Sequence, residues 1–255
     1  MIHIEKLEKS YGSFQALRPL DLHVRRGEVF GFLGPNGAGK TTTIRLLAGV
    51  LPPTAGNITI DGHDLLADPV AAQRYIGFIP DRPYLHEKLT GYEFLEFVAG
   101  MYGLPIKHAQ TEGRRLLDLY ELGPFADRLI EGYSHGMKQR LVLCATLLHE
   151  PRLMIVDEPM VGLDPHGARQ IKDVFRSIAE SGRTVFLSTH TLDVAEEVCD
   201  RIAIINKGQL VALGTMAELR ANMAAGDADL EQVFLTVVEE AGRSAAFINP
   251  VQERS

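Results

Sequence analysis

The chain has 255 residues, 45% of them hydrophobic, with 26 basic and 33 acidic side chains for a net charge of -7. That length suits one large domain or two small ones, and that hydrophobic share can build a core. The charge balance offers no basic surface for nucleic acid. No apolar run approaches the ~20 residues of a membrane span, and Met1 to Lys6 lacks a signal peptide's apolar core. The only cysteines, Cys144 and Cys199, each fall in an apolar helical pattern. That is the setting of buried free thiols rather than of a disulfide or metal site, and the expectation is a soluble protein of a reducing compartment.

Residues 2–9 and 15–24 alternate like strands, and the second run ends at the turn Arg25-Arg26-Gly27-Glu28. An apolar run, Val29 to Leu33, leads into a glycine-rich loop, and Thr42 to Ala48 reads as a helix. Pro52-Pro53-Thr54-Ala55-Gly56 breaks the chain before a short strand, Asn57 to Ile60, and a turn at Asp61-Gly62; residues 76–80 form another strand. From about Leu89 to Leu148 the periodicity is helical. Phe94, Phe97 and Val98 are expected on one face, and Leu116, Leu119 and Tyr120 on another. This block reads as a helical insertion in an α/β core. Beyond it come a strand at Leu153 to Val156, a helix marked by Ile171, Val174, Phe175 and Ile178, and a short strand at Val185 to Leu187. Arg201 to Ile205 and Gln209 to Leu213 form a hairpin around Asn206-Lys207-Gly208. Leu230, Val233, Phe234, Val237 and Val238 make one helical stripe, either core or a dimer or regulatory contact, and residues 241–255 are expected to fray.

The chemistry concentrates in Gly34-Pro35-Asn36-Gly37-Ala38-Gly39-Lys40-Thr41, which fits the phosphate-binding loop pattern at every fixed position. Strand, glycine loop and helix are the context that pattern requires. The glycines let backbone N–H groups wrap a polyphosphate, and the helix N-terminus adds positive dipole. Lys40 is expected on the β- and γ-phosphates and the Thr41 hydroxyl on Mg²⁺. Leu153 to Val156 ends in Asp157 and Glu158. A strand of this kind is expected beside the first one, delivering Asp157 to the Mg²⁺ shell. Glu158 is the candidate general base. Two solvated acids at a strand end would look the same in isolation, but with the phosphate loop present the catalytic reading is favoured, because a dry apolar strand rarely ends in two acids. His190 follows another strand, where it can bond a γ-phosphate and hold the attacking water; a capping or core histidine is the alternative. Ser134 suits the N-cap of a helix running to about His149, and Gly136 follows it, a setting that could serve a phosphate held by another subunit.

Over roughly residues 2–215 these motifs resemble, in order and spacing, the nucleotide-binding subunit of an ABC transporter. Gly34 to Thr42 is similar to that family's Walker A loop, and Met154 to Glu158 to Walker B with its catalytic glutamate. Val161-Gly162-Leu163-Asp164 resembles the D-loop and His190 the switch histidine. Tyr11 sits where the family stacks an aromatic on adenine, although a strand-end core aromatic is the plainer reading of it. The resemblance implies an α/β P-loop NTPase with a RecA-like core, an antiparallel β-subdomain and a helical subdomain inserted at about 84–150. Residues 216–255 would then be a C-terminal helical extension and tail. It also implies ATP and Mg²⁺ as ligands and a head-to-tail pair of ATPase subunits, identical or not. Each ATP would lie between one subunit's loop and the other's Ser134 and Gly136.

Two positions depart from the family pattern. The signature Leu-Ser-Gly-Gly-Gln is here Tyr133-Ser134-His135-Gly136-Met137, so His135 replaces the first glycine and costs backbone freedom. The Q-loop glutamine falls at Asp81, an acid that could reach Mg²⁺ but would repel phosphate oxygens. Variants of this kind are similar to bacterial export-type ATPases whose permease is a separate chain. The expected function is therefore an ATP-hydrolysing motor, peripheral on the cytoplasmic face of the membrane through an integral-membrane permease, with no nucleic-acid partner. The alternatives are a soluble ABC-type ATPase and an ATP-sensing scaffold. Against the first, no sustained heptads for a long coiled coil separate Lys40 from Asp157, and only one phosphate loop is present.

Overall fold

A computed structural model describes residues 1–82, 84–159, 165–222, 231–232 and 234–236. Two sheets form. The first is antiparallel, in the order β2-β1-β4-β5, from β1 (Ile2–Tyr11), β2 (Phe14–Val24), β4 (Ala55–Ile60) and β5 (His63–Asp64). The second has the order β10-β9-β3-β8-β7-β6, from β3 (Val29–Leu33), β6 (Ile76–Ile79), β7 (Leu153–Asp157), β8 (Thr184–Thr189), β9 (Arg201–Asn206) and β10 (Gln209–Gly214). All its pairings are parallel except the edge hairpin of β9 with β10.

Every residue of β3, β7 and β8 is buried, as expected of parallel strands covered on both faces. Their alternation splits the core in two. Phe30, Phe32, Leu153, Ile155 and Phe186 pack with the inner face of the antiparallel sheet and with α1 (Lys40–Leu47). Val29, Met154, Val156, Val185 and Leu187 turn the other way, toward a helical layer. That layer holds α3 (Gly91–Met101), α4 (Ile106–Leu119) and α5 (His135–Leu147), all between β6 and β7, and α6 (Pro165–Glu180) and α7 (Leu192–Val198). Short α2 (Pro69–Gln73) precedes β6, and α8 (Met216–Asn222) follows β10.

Local chemistry sets the helix starts. Thr90 caps α3 in a reciprocal box: its hydroxyl accepts from Glu93 N–H at 3.2 Å, and the Glu93 carboxylate accepts from Thr90 N–H at 2.8 Å. Ser134 caps α5, its Oγ accepting from Met137 N–H at 3.3 Å. The hairpin turn places Lys207 and Gly208 at φ 47° and 75°, the backbone of a tight two-residue connection.

Several expectations need correcting. The strand carrying Asp157 is not beside the loop strand: β8 lies between β7 and β3. The α6 crossover returns the chain into the gap, and β8 then pairs with both neighbours. The shared helical faces are not uniformly covered: Phe97 and Leu119 are 44% and 56% exposed, while Phe94, Leu116 and Tyr120 are buried. Leu117, beside Leu116, is also buried in this core. Both cysteines are free, but only Cys144 is fully buried, Cys199 being intermediate. Burial pushes both thiols well above their ordinary range, which keeps them as inert thiols. Phe234 packs beside Leu33, Ile202, Ile204 and Leu219. Leu230, Val233, Val237, Val238 and residues 241–255 lie outside the described residues, as do Val161 to Asp164.

Candidate active site

The loop from Gly34 to Gly39 joins β3 to α1 at the C-terminal edge of the parallel sheet. Two of its glycines have steric reasons. A Cβ on Gly34 would sit 2.3 Å from the Ile205 carbonyl oxygen. Gly39 has φ +111°, and a Cβ there would lie 2.9 Å from the Ala16 carbonyl oxygen, so backbone from β9 and β2 packs directly on the loop. Hydrogen bonds hold it in place: Ala38 N–H donates to Pro35 O at 3.1 Å, Gly208 N–H to Ala38 O at 2.8 Å, and Arg18 N–H to Gly208 O at 2.8 Å. Asn36 and Gly37 stay exposed.

Lys40 opens α1 and is buried. Its Nζ donates to Gly34 O at 2.7 Å and lies 3.7 Å from Glu158 Oε1. Glu158 leaves β7 with φ +52°, a left-handed backbone uncommon for a residue with a side chain. Its N–H donates to Ser188 O at 3.1 Å, and its Oε2 lies 2.9 Å from His190 Nδ1. Lys40, Glu158 and His190 therefore form one chain of contacts from the start of α1 to the ends of β7 and β8.

Asp157 is the last residue of β7 and 5% exposed. Its Oδ1 accepts from Ser188 Oγ at 2.5 Å, and the Thr41 side chain bonds the same carboxylate. Burial is the main force raising the Asp157 carboxyl above its ordinary range; the negative charges of Glu158 and Asp81 add to it, and the Ser188 and Thr41 hydrogen bonds oppose it. Asp81, Asp157, Glu158 and Gln139 line a small cavity of about 30 Å³. A hydroxyl beside clustered carboxylates is an oxygen-only donor set that fits Mg²⁺. Among the described residues no group of three or more His, Cys, Asp or Glu could hold a metal ion.

The remaining candidates stand elsewhere. Tyr11 ends β1, 48% exposed, with Lys9 Nζ 5.3 Å from its ring centre. Thr42 is half-buried on the first turn of α1. Ser134, His135 and Gly136 open α5, which packs on α3, α4 and β6, and its first turn carries no acid. Sequence reasoning missed Ser188. A serine in an apolar strand gives no signal by itself, and only the β7–β8 register, which sets Asp157 opposite Ser188, reveals its partner.

A glycine loop between a buried parallel strand and a helix, with carboxylates and a histidine at neighbouring strand ends, defines a P-loop NTPase. The family model for ABC transporters matches residues 17–161. The daunorubicin resistance ATP-binding protein DrrA3 of Streptomyces coeruleorubidus is 38% identical over 97% of this chain and 76% of its own length. A solved ATP-binding subunit of an ABC transporter superposes with a TM-score of 0.88 at 32% identity, covering 93% of this chain and 99% of the other. A dimeric ATP-binding cassette in a post-hydrolysis state with ADP and Pi superposes at 0.78 with 25% identity, covering 85% and 99%. The chain belongs to the ABC transporter family, as a nucleotide-binding subunit.

Proposed function

We propose that this chain is the ATP-hydrolysing motor of an ABC transporter. The observation that carries the reading is the contact chain Lys40–Glu158–His190 beside the Thr41–Asp157–Ser188 cluster. Lys40 would exchange its contacts with Gly34 O and Glu158 for the β- and γ-phosphates, and residues 34–42 would supply backbone donors. Asp157 and Thr41, with Asp81 near the same cavity, would hold Mg²⁺, which neutralises charge developing on the phosphates. Glu158, released from Lys40, would accept a proton from the attacking water while His190 holds that water in line. Tyr11 would stack on the adenine.

Completion of the site by a second copy or a sister subunit, through its Ser134 and Gly136, is supported by the dimeric form of the similar cassette that holds ADP and Pi. His135 would flank that contact. A separate integral-membrane permease would receive the work through the helical elements and the Asp81 loop, placing the chain on the cytoplasmic face of the membrane. No helix among the described residues is long and apolar enough to cross a membrane. Export is the direction that a drug-resistance relative supports. Residues 1–215 would be the ATPase domain, with the helical block inserted at about 84–150, and 216–255 an extension.

The test is Glu158→Gln. Turnover should fall by at least about 10²-fold, the scale of a lost general base, while ATP binding persists. Wild-type turnover in that variant would remove Glu158 from the mechanism.

A further inference from the structure

Tyr11 and Phe14 are directly opposed across the β1–β2 hairpin, with only Gly12 and Ser13 between them. Side chains directly opposed on antiparallel strands leave the sheet on the same face. Both rings are open to solvent, Tyr11 at 48% and Phe14 at 64%. The turn needs neither aromatic, because Gly12 supplies its positive φ of 59°. Two largely open aromatics on one face thus lie at a hairpin tip, Tyr11 flanked by Lys9 Nζ 5.3 Å from its ring centre.

The location of that tip suggests what they are for. The register steps from Ser10↔Gln15 to Lys9↔Leu17, so Ala16 is an extra residue on β2. A bulge of this kind bends a strand and re-aims it, commonly beside a site. Here it sets the Ala16 carbonyl oxygen 2.9 Å from where a Cβ on Gly39 would be and 2.8 Å from where one on Gly208 would be. The strand is therefore locked against the phosphate loop at Ala16. Phe14 lies two residues further along, roughly 7 Å at the rise of a strand, a distance that a ribose spans.

We infer that Phe14 is a second aromatic of the nucleobase site, forming with Tyr11 a platform for a planar base whose phosphates lie in the Gly34 to Thr41 loop. The inference rests on the proposed binding of ATP at that loop. Stacking of this kind recognises a ring face, not its edge, so it adds affinity for a nucleotide and none for a bare polyphosphate.

The experiment is titration calorimetry of the full chain with ADP and, separately, with inorganic pyrophosphate, both in Mg²⁺. Neither ligand carries a γ-phosphate to lose, so the wild-type protein can be used. Phe14→Ala should weaken ADP binding by about fivefold or more and leave pyrophosphate unchanged; Phe14→Trp should bind ADP at least as tightly as wild type. Unchanged ADP affinity in Phe14→Ala would overturn the inference, as would an equal loss for pyrophosphate, which would mean a damaged loop and not a lost base contact. Failure of both ligands to bind the wild-type chain would overturn the phosphate-loop reading, and this inference with it.

Discussion

Oε2 of Glu158 lies 2.9 Å from Nδ1 of His190, while its Oε1 lies 3.7 Å from Nζ of Lys40. One carboxylate therefore engages both groups assigned to the γ-phosphate. Nucleotide binding would have to separate them, and His190, with its side chain half exposed, is free to swing. His190→Ala should lower turnover by about 10²-fold and change ATP affinity by no more than a few fold, because Lys40 and the loop carry the ground-state contacts. Steady-state ATPase rates together with equilibrium binding check this; an unchanged rate would contradict the role.

Ser188 presents a different test. Its hydroxyl and the Asp157 carboxylate are buried and bonded at 2.5 Å. Ser188→Ala would leave a buried carboxylate oxygen short of a donor, a loss of about 1–3 kcal/mol. Urea denaturation should show that drop. A variant as stable as wild type would mean that water replaces the hydroxyl.

Gly39→Ala should fail more severely. The site combines φ +111° with a Cβ position 2.9 Å from the Ala16 carbonyl. Strain of that kind costs about 1–3 kcal/mol before any clash is counted. The expected result is a lower melting temperature together with lost nucleotide binding, read by thermal denaturation with and without ATP. Gly37→Ala makes the contrast: its φ of +77° is still unfavourable, but no atom lies within 4 Å of its Cβ position, so the smaller effect is expected there.

Asp61 governs an acid-sensitive link between the two sheets. Its side chain is 2% exposed and pairs with Arg26, and with Arg152 at 2.6 Å. Burial pushes its carboxyl up, but the Arg152 hydrogen bond and the Arg26 charge outweigh that and hold it below the ordinary value of 3.8. The unfolded chain therefore takes up this proton first as pH falls. The link contributes fully above the unfolded value and is lost as pH drops through the lower folded one. Asp61→Asn, which tolerates the left-handed backbone at this position, should cost about 2 kcal/mol at pH 7. That difference should shrink as pH falls below about 5, through the ordinary carboxylate value and then the lower folded one. Denaturant midpoints of both proteins across that range check it.

The parts of this site legible from sequence are those whose chemistry is local. Gly34 to Thr41 is readable because wrapping a polyphosphate demands fixed residues at fixed spacing, and Asp157 and Glu158 because acids ending an apolar strand are conspicuous. Ser134 is readable as a cap by residue type, and its hydroxyl does accept from Met137 N–H. Sheet order was not legible: both β7 and β8 are short buried runs, and nothing in either states which one neighbours β3. The bond between Ser188 and Asp157 joins residues 31 apart through a register that only the folded sheet defines. Phe97 and Leu119 fit helical stripes, yet exposure depends on which neighbour covers the stripe, and periodicity does not contain that.

The proposed motor role requires this ATPase to engage a membrane permease. The most direct measurement is to tag Glu158→Gln, express it in its native host, solubilise membranes gently with ATP and Mg²⁺, and identify what co-purifies. A polytopic membrane protein in stoichiometric amount is the expected result. Recovery of the chain alone, or with ribosomes or nucleic acid and no membrane protein, would contradict it.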